Sequence, residues 1–297
     1  MLLLICGCRA FRGHKVSDES IAAARQLSLQ GLDAQQRNQW ERAESLFATA
    51  ILKCPSDERA HAGYGESLWQ RGAWRESVAQ MEESVRLSGG DPTRRVRLGQ
   101  MYRSVGDLAR AREQAEQALA ANPQLASAWA LRGQVLLAQG DRGEALANFH
   151  RALGYDGNLS DVQFAIAEIY AQENRPQRAL ATLQALAQTA PSGPAAAEIA
   201  IRQARALVAL GRQPDAISVL AKAVERNDAS AAVLHELAIT QLAARDWPGA
   251  RQAVERGISR YPADSRFQSL AQELSRAAGP VATVSATGEL VPRKAGF

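Results

Sequence analysis

Small and large apolar residues recur along this chain in a pattern that repeats every 34 residues. Gly31, Gly65, Gly99 and Gly133 stand 34 apart, and a small residue follows each one twelve positions later, at Ala43, Ser77, Ala111 and Ala145. Each copy reads as two helices joined by a tight turn. Seven copies are present, with position 1 at Ala24, Glu58, Pro92, Ala126, Ser160, Ala197 and Ala231. The first five start at the strict spacing; a three-residue insertion around Ser192-Gly193-Pro194 sets copies five and six 37 apart. A period of this size predicts a solenoid of stacked units and not one globular core.

Each recurring position has a physical reason. Gly or Ala at position 8 and Ala at position 20 let the two helices of a hairpin approach closely. Tyr, Leu or Phe at positions 11 and 24 fill the space between them, and Ala at position 27 lets the next copy dock. Close-packed interiors respond to a single methylene, so small residues must recur where backbones nearly touch. Position 15 reads Asn38, Gly72, Gly106, Gly140, Asn174, Gly211 and Arg245. Gly and Asn best tolerate the left-handed conformation that ends a helix. Position 32 often carries Pro, which stops the second helix.

These positions resemble the tetratricopeptide repeat. The best copies read Gly31, Ala43, Phe47, Ala50, Pro55; then Gly99, Tyr102, Ala111, Ala118, Pro123; then Trp129, Gly133, Ala145, Phe149, Ala152. The likeness runs over residues 24–264. It implies an all-α, right-handed α-solenoid of about seven helix hairpins. Residues 265–278 read as one more amphipathic helix, in which Phe267, Leu270 and Leu274 cover the apolar end of the stack. The solenoid with this capping helix spans residues 24–278. Residues 9–23 read as a tether, with helix starting near Ser17 or Asp18, and residues 279–297 as a disordered tail.

Composition agrees with an all-helical class. Ala, Leu, Arg, Gln and Glu dominate, and all are good helix formers. Alternating β-branched runs do not occur. The net charge of +4 is mild for 297 residues and does not mark a nucleic-acid binder. Lysine stands only at Lys15, Lys53, Lys222 and Lys294; the other basic residues are arginine.

The first eight residues, Met1 to Cys8, resemble a truncated bacterial lipoprotein signal. Ile5, Cys6, Gly7 and Cys8 fill the places of a lipobox, with Cys8 the lipidated residue; Cys6 is an atypical occupant, and the charged start is missing. No segment reaches the ~18 apolar residues that span a bilayer. The resemblance implies a lipid-anchored protein facing the periplasm. A cytoplasmic adaptor that docks an enzyme or chaperone is the alternative.

Chemistry is sparse. Cys54 beside Pro55 reads as a packed thiol, and Cys6-x-Cys8 lacks zinc-ligand partners. The histidines, His14, His61, His150 and His235, are scattered over different copies and read as packing or surface residues. No nucleophile elbow, phosphate loop or zinc helix motif is present. The sequence therefore predicts no catalytic residue, no metal and no cofactor.

In the resembled family the first helix of each copy lines a concave groove, with positions 2, 5, 9, 12 and 13 pointing into it. Transferred to this chain, that face holds Arg59, Glu66, Trp69, Gln100, Arg103, Gln134, Phe164, Glu168 and Arg205, with Arg97 close enough to reach it. Arginine and an aromatic among amides suit a protein or peptide ligand. Trp69 is the sharpest candidate: at position 12 it has no framework role in the repeat, though local packing competes with groove contact. Arg94, Arg95, Arg97, Arg103, Arg110 and Arg112 make the third copy basic, which reads as a solvated face balanced by Glu113 and Glu116. The subfamily that clamps the carboxyl end of chaperone tails uses Lys and Asn at positions 5 and 9. Here position 5 holds Ser28, Ala62, Val96 and Ala130 and position 9 holds Leu32, Glu66, Gln100 and Gln134, so that clamp is not expected.

Overall fold

The structure, a computed structural model, describes residues 17–189, 193–225 and 230–277. Among these residues it is all-helical, with fifteen helices and no strand. The first helices of the seven hairpins are α1 (Asp18–Gln36), α3 (Glu58–Gln70), α5 (Pro92–Ser104), α7 (Ala126–Ala138), α9 (Ser160–Gln172), α11 (Pro194–Ala209) and α13 (Ala231–Ala243). The second helices are α2 (Trp40–Lys53), α4 (Trp74–Leu87), α6 (Leu108–Ala121), α8 (Arg142–Tyr155), α10 (Pro176–Thr189), α12 (Gln213–Glu225) and α14 (Trp247–Arg260), and α15 (Ser265–Ala277) follows them. This is the α-solenoid class. The residues fall into two compact units divided between Gly157 and Asn158, so α1–α8 form the first and α9–α15 the second.

The repeat register sets the helix starts. Every second helix begins at position 17, and α3, α5, α7, α9 and α13 begin at position 1. Two first helices depart from this. α1 starts early, capped by the Ser17 hydroxyl, which accepts from the Ser20 backbone N–H at 3.2 Å. α11 gains a turn at its start: the insertion places Gly193 at φ 113° and Pro194 at the first helical position, three residues ahead of Ala197.

All seven residues at position 15 have positive φ, from 55° at Asn174 to 89° at Gly140. The helix ends there in a Schellman turn: the Gly72 N–H donates to the Trp69 carbonyl at 3.0 Å, and the Ala73 N–H to that of Leu68 at 2.9 Å. Arg245, at φ 60°, is the one long side chain among the seven, and its Cβ crowds the following carbonyl.

Positions 8 and 20 meet as the spacing requires. A Cβ built on Gly99 would stand 3.2 Å from the Ala111 carbonyl oxygen, and one on Gly65 3.1 Å from that of Ser77. Ser77 turns its hydroxyl to use this closeness, donating to the Gly65 carbonyl at 2.7 Å. Phe47, fully buried, lies against both Gly31 and Gly63, and a Cβ on Gly31 would come within 2.7 Å of its ring. In the second unit α15 packs on α13 and α14 and buries Phe267, Leu270 and Leu274, with the Phe267 ring edge-on to His235 at 6.2 Å. The lipobox at Cys8, residues 1–16 as a whole and the tail from residue 278 lie outside the described residues.

Candidate functional site

The first helices of the first unit enclose a cleft of about 450 Å³. From α1 come Arg25, Leu29, Leu32 and Gln35, which share one helix face because they recur every three or four residues. From α3 come Arg59, Ala62, Gly63 and Glu66, and from α5 Thr93, Arg94 and Arg97. Phe47 and Met81 of the second helices form the floor. Leu29 and Leu32 are 66% and 44% exposed, although most large apolar residues of this chain are buried.

Polar contacts fix the walls. Gln35 Nε2 donates to the Gly63 carbonyl at 2.9 Å and the Ser67 hydroxyl at 3.1 Å. Ser28 donates to Asp57 at 3.2 Å, while Asp57 caps α3 by accepting from the N–H groups of Arg59 and Ala60. Arg97 grips Glu66 with two parallel bonds, one of 2.6 Å from Nη2 to Oε2. Arg94 reaches the Glu58 carbonyl at 2.5 Å and the Ser84 hydroxyl.

Of the groove residues expected from the sequence, Arg59, Glu66 and Arg97 line this cleft. Trp69 does not. It is half-buried, packs edge-on to Trp74 with centroids 4.5 Å apart, and lies 5.8 Å from the Arg97 guanidinium carbon. Position 12 thus gains a framework role in this copy, because position 17 of the same hairpin also carries a tryptophan. Gln100, Arg103 and Gln134 are half-buried on α5 and α7 and do not line this cleft; the Arg103 Nε is buried without an acceptor. The basic third copy is largely balanced internally. Arg95 bonds to Gln114 and the Gly90 carbonyl, Arg110 to Asp107 at 2.6 Å, and Arg112 to Glu116 at 2.8 Å. Arg110 also lies over the Tyr102 ring, whose hydroxyl donates to Glu82. Burial, then the bond to this carboxylate, push the Tyr102 phenol up to about 12.

The second unit holds a cleft of about 370 Å³ between α9, α10 and α11. Ala167, Ala171, Ala179, Ala206 and Ala209 line much of it, with Glu168, Arg202 and Arg205 at its polar side. Arg202 bridges Glu168 and Glu198, the latter at 2.7 Å, and lies over the Phe164 ring at 5.5 Å. Arg205 grips Glu236 at 2.8 and 2.9 Å, which raises its guanidinium above the usual range. Phe164, Glu168 and Arg205 are therefore brought together, but through intramolecular partners.

One rule unites these contacts. Glu66, Glu168 and Arg205 occupy position 9, and each pairs with position 6 of the next copy: Arg97, Arg202 and Glu236. The signal lay in opposite charges 31 residues apart, or 34 across the insertion. Reading each copy alone misses it. Also missed was Leu29; its companion Leu32 is a large apolar residue at a position where five of the other six copies are polar.

Stacked helix hairpins whose first helices carry the clefts define an α-solenoid of the interaction-module class. Models described as tetratricopeptide repeat match residues 28–92 and 96–142, and again 136–205 and 207–274. The chain belongs to the tetratricopeptide repeat family. No curated protein matches the sequence. Among solved structures, pilF of Pseudomonas aeruginosa is similar over 86% of this chain and 99% of its own, at 15% identity and a TM-score of 0.60. PilW, described as a widely conserved type IV pilus biogenesis factor, covers 72% of this chain and 96% of its own at 15% identity, TM-score 0.62. A tetratricopeptide repeat protein of Parabacteroides merdae covers 85% and 99% at 14% identity, TM-score 0.58. At these identities the likeness is one of fold. Among the described residues no group of His, Cys, Asp and Glu could hold a metal, and no helix is long and apolar enough to cross a membrane.

Proposed function

We propose that this chain is a non-enzymatic scaffold that binds a protein or peptide along the first helices of its repeats, and that a lipid on Cys8 holds it at the bacterial envelope. The observation that carries the binding role is the cleft over α1, α3 and α5, where Leu29 and Leu32 stand exposed beside Arg59, Glu66 and Arg97. Apolar surface that folding leaves uncovered, rimmed by charge, is what a partner covers. Family membership supports the same role. The envelope reading rests on Leu-Leu-Leu-Ile followed by Cys6-Gly7-Cys8.

Two experiments test these parts separately. Cross-linking in cells, followed by identification of the bound chain, is expected to yield one partner whose capture is lost in a Leu29→Ser, Leu32→Ser variant. Capture that ignores this variant removes the cleft from the function. Labelling with radioactive palmitate is expected to mark the native chain and not Cys8→Ser. An unlabelled native chain removes the envelope reading and leaves the cytoplasmic adaptor.

A further inference from the structure

We infer that the cleft of the first unit takes an acidic amphipathic segment, one whose apolar side chains cover Leu29 and Leu32 and whose side-chain carboxylates meet Arg25 and Arg59. The inference rests on the groove reading above and names its ligand. It begins from the steps of the ion-pair ladder that carry no ion pair: of the six between successive copies, two hold Gln100 with Leu131 and Gln134 with Ala165, and only the first puts a bare leucine there. Position 9 pairs with position 6 of the next copy at Glu66–Arg97, Glu168–Arg202 and Arg205–Glu236. At the first step those positions hold Leu32 and Gly63, so no ion pair can close it, and the leucine faces an opening. Leu29 extends the apolar surface on the same face of α1, with Arg25 one turn before it.

The charges select the partner. Both acidic groups of the cleft are engaged: Asp57 by Ser28 and the backbone of α3, and Glu66 by Arg97. Arg94 and Arg97 are engaged as well. Arg25 is exposed and forms no ion pair among the described residues. The Arg59 side chain is 75% exposed and only approaches its neighbour Glu58, at 3.8 Å. The charge left over is therefore guanidinium, at position 2 of two successive copies, beside bare leucine. Side-chain carboxylates suit it better than a chain terminus, because positions 5 and 9 hold Ser28, Ala62, Leu32 and Glu66 and supply neither Lys nor Asn. The cleft of the second unit offers no such vacancy: alanines line it and its guanidiniums are paired.

The test is random-peptide display on the purified full chain, followed by fluorescence anisotropy with two labelled probes. One probe places Leu and Glu at amphipathic-helix spacing; the other replaces every Glu with Lys. Display is expected to enrich acidic, leucine-bearing sequences, and the Leu–Glu probe is expected to bind about tenfold tighter than its counterpart. Arg25→Ala with Arg59→Ala should weaken that probe about fivefold and flatten its salt dependence. Leu29→Ser with Leu32→Ser should weaken it about tenfold or more. Arg205→Ala should leave it unchanged. The substituted side chains are exposed, and an unaltered circular dichroism spectrum confirms the fold of each variant.

Enrichment of basic sequences, or a Leu–Glu probe indifferent to Arg25 and Arg59, overturns the inference while the groove reading stands. If no displayed peptide and neither probe binds, both fall. Capture of phosphatidylglycerol vesicles through Arg25 and Arg59 with no peptide bound would overturn it in favour of a lipid surface.

Discussion

The two clefts are built from helices of the same repeat, yet they differ in what folding has left undone. In the first unit, leucines are bare and two arginines lack a firm partner. In the second, small alanines line the walls, and Glu168, Arg202, Arg205 and Glu236 satisfy one another. A groove position in a repeat protein is therefore not yet a binding residue. The same position 9 serves a neighbouring copy when it carries a charge of the right sign, and faces outward when it carries leucine opposite glycine.

The largest effect should come from the floor of the first cleft. Phe47 is fully buried against Gly31 and Gly63. Phe47→Ala should cost about 3–5 kcal/mol, read as a lowered urea midpoint, since the glycines on both sides have no side chains to collapse into the void. Hydrogen exchange should show the loss in α1–α4 and leave α9–α15 protected. An equal loss in the second unit would break the distinction between the two.

pH separates the units next. Tyr102 in the first unit is held up at about 12, above its unfolded value of about 10. The folded state keeps that proton longer, so the stabilisation is complete below pH ~10 and is lost as pH rises toward 12. In the second unit the His235 imidazole is lowered by burial and by Arg266. The unfolded chain binds its proton more readily, so stability there is complete above about 6.5 and falls as pH drops below it. Asp264, held at about 2 by Arg266, adds a second acid-side loss between about 4 and 2. Hydrogen exchange across a pH series should show α5 and α6 loosening first in alkali and α13–α15 first in acid. Acid loosening of α13–α15 that survives His235→Phe would remove the histidine from the account.

Arg245 distinguishes the seventh turn from the other six. At φ 60° it has the conformation that Gly or Asn supplies elsewhere. Arg245→Gly should stabilise the second unit by about 1 kcal/mol, measured by urea denaturation, because the left-handed region crowds any Cβ. Gly140→Ala in the first unit should destabilise by a similar amount.

The turns and close glycines could be read in advance because each depends on one or two residue types at one position. Position 15 needs positive φ, so Gly and Asn announce it; position 8 needs a missing Cβ, so Gly65 and Gly99 do. The candidate site was harder to read because its chemistry is relational. Glu66, Glu168 and Arg205 look available in their own helices, and only comparison with position 6 of the next copy reveals their partners. Trp69 looked unassigned because its role depends on a second residue: Trp40, Trp74 and Trp247 share position 17, but only this hairpin also carries Trp at position 12. Leu29 and Leu32 resembled ordinary helix residues until their exposure was known. The lipidation proposed at Cys8 and the tail belong to stretches that repeat spacing does not govern.

The smallest effect is the sharpest test of the contrast. If the ladder is structural, the Arg205–Glu236 pair should show coupling in a double-mutant cycle, about 0.5–1 kcal/mol, since two parallel bonds hold a Glu236 side chain that is only 16% exposed. The Arg59–Glu58 pair, at 3.8 Å with a 75% exposed arginine, should show coupling too small to measure. Raising the salt concentration should reduce the first coupling only in part. Equal coupling in both cycles would mean that Arg59 is held by its neighbour no less firmly than Arg205 is held by Glu236, and the first cleft would then keep only Arg25 for a partner.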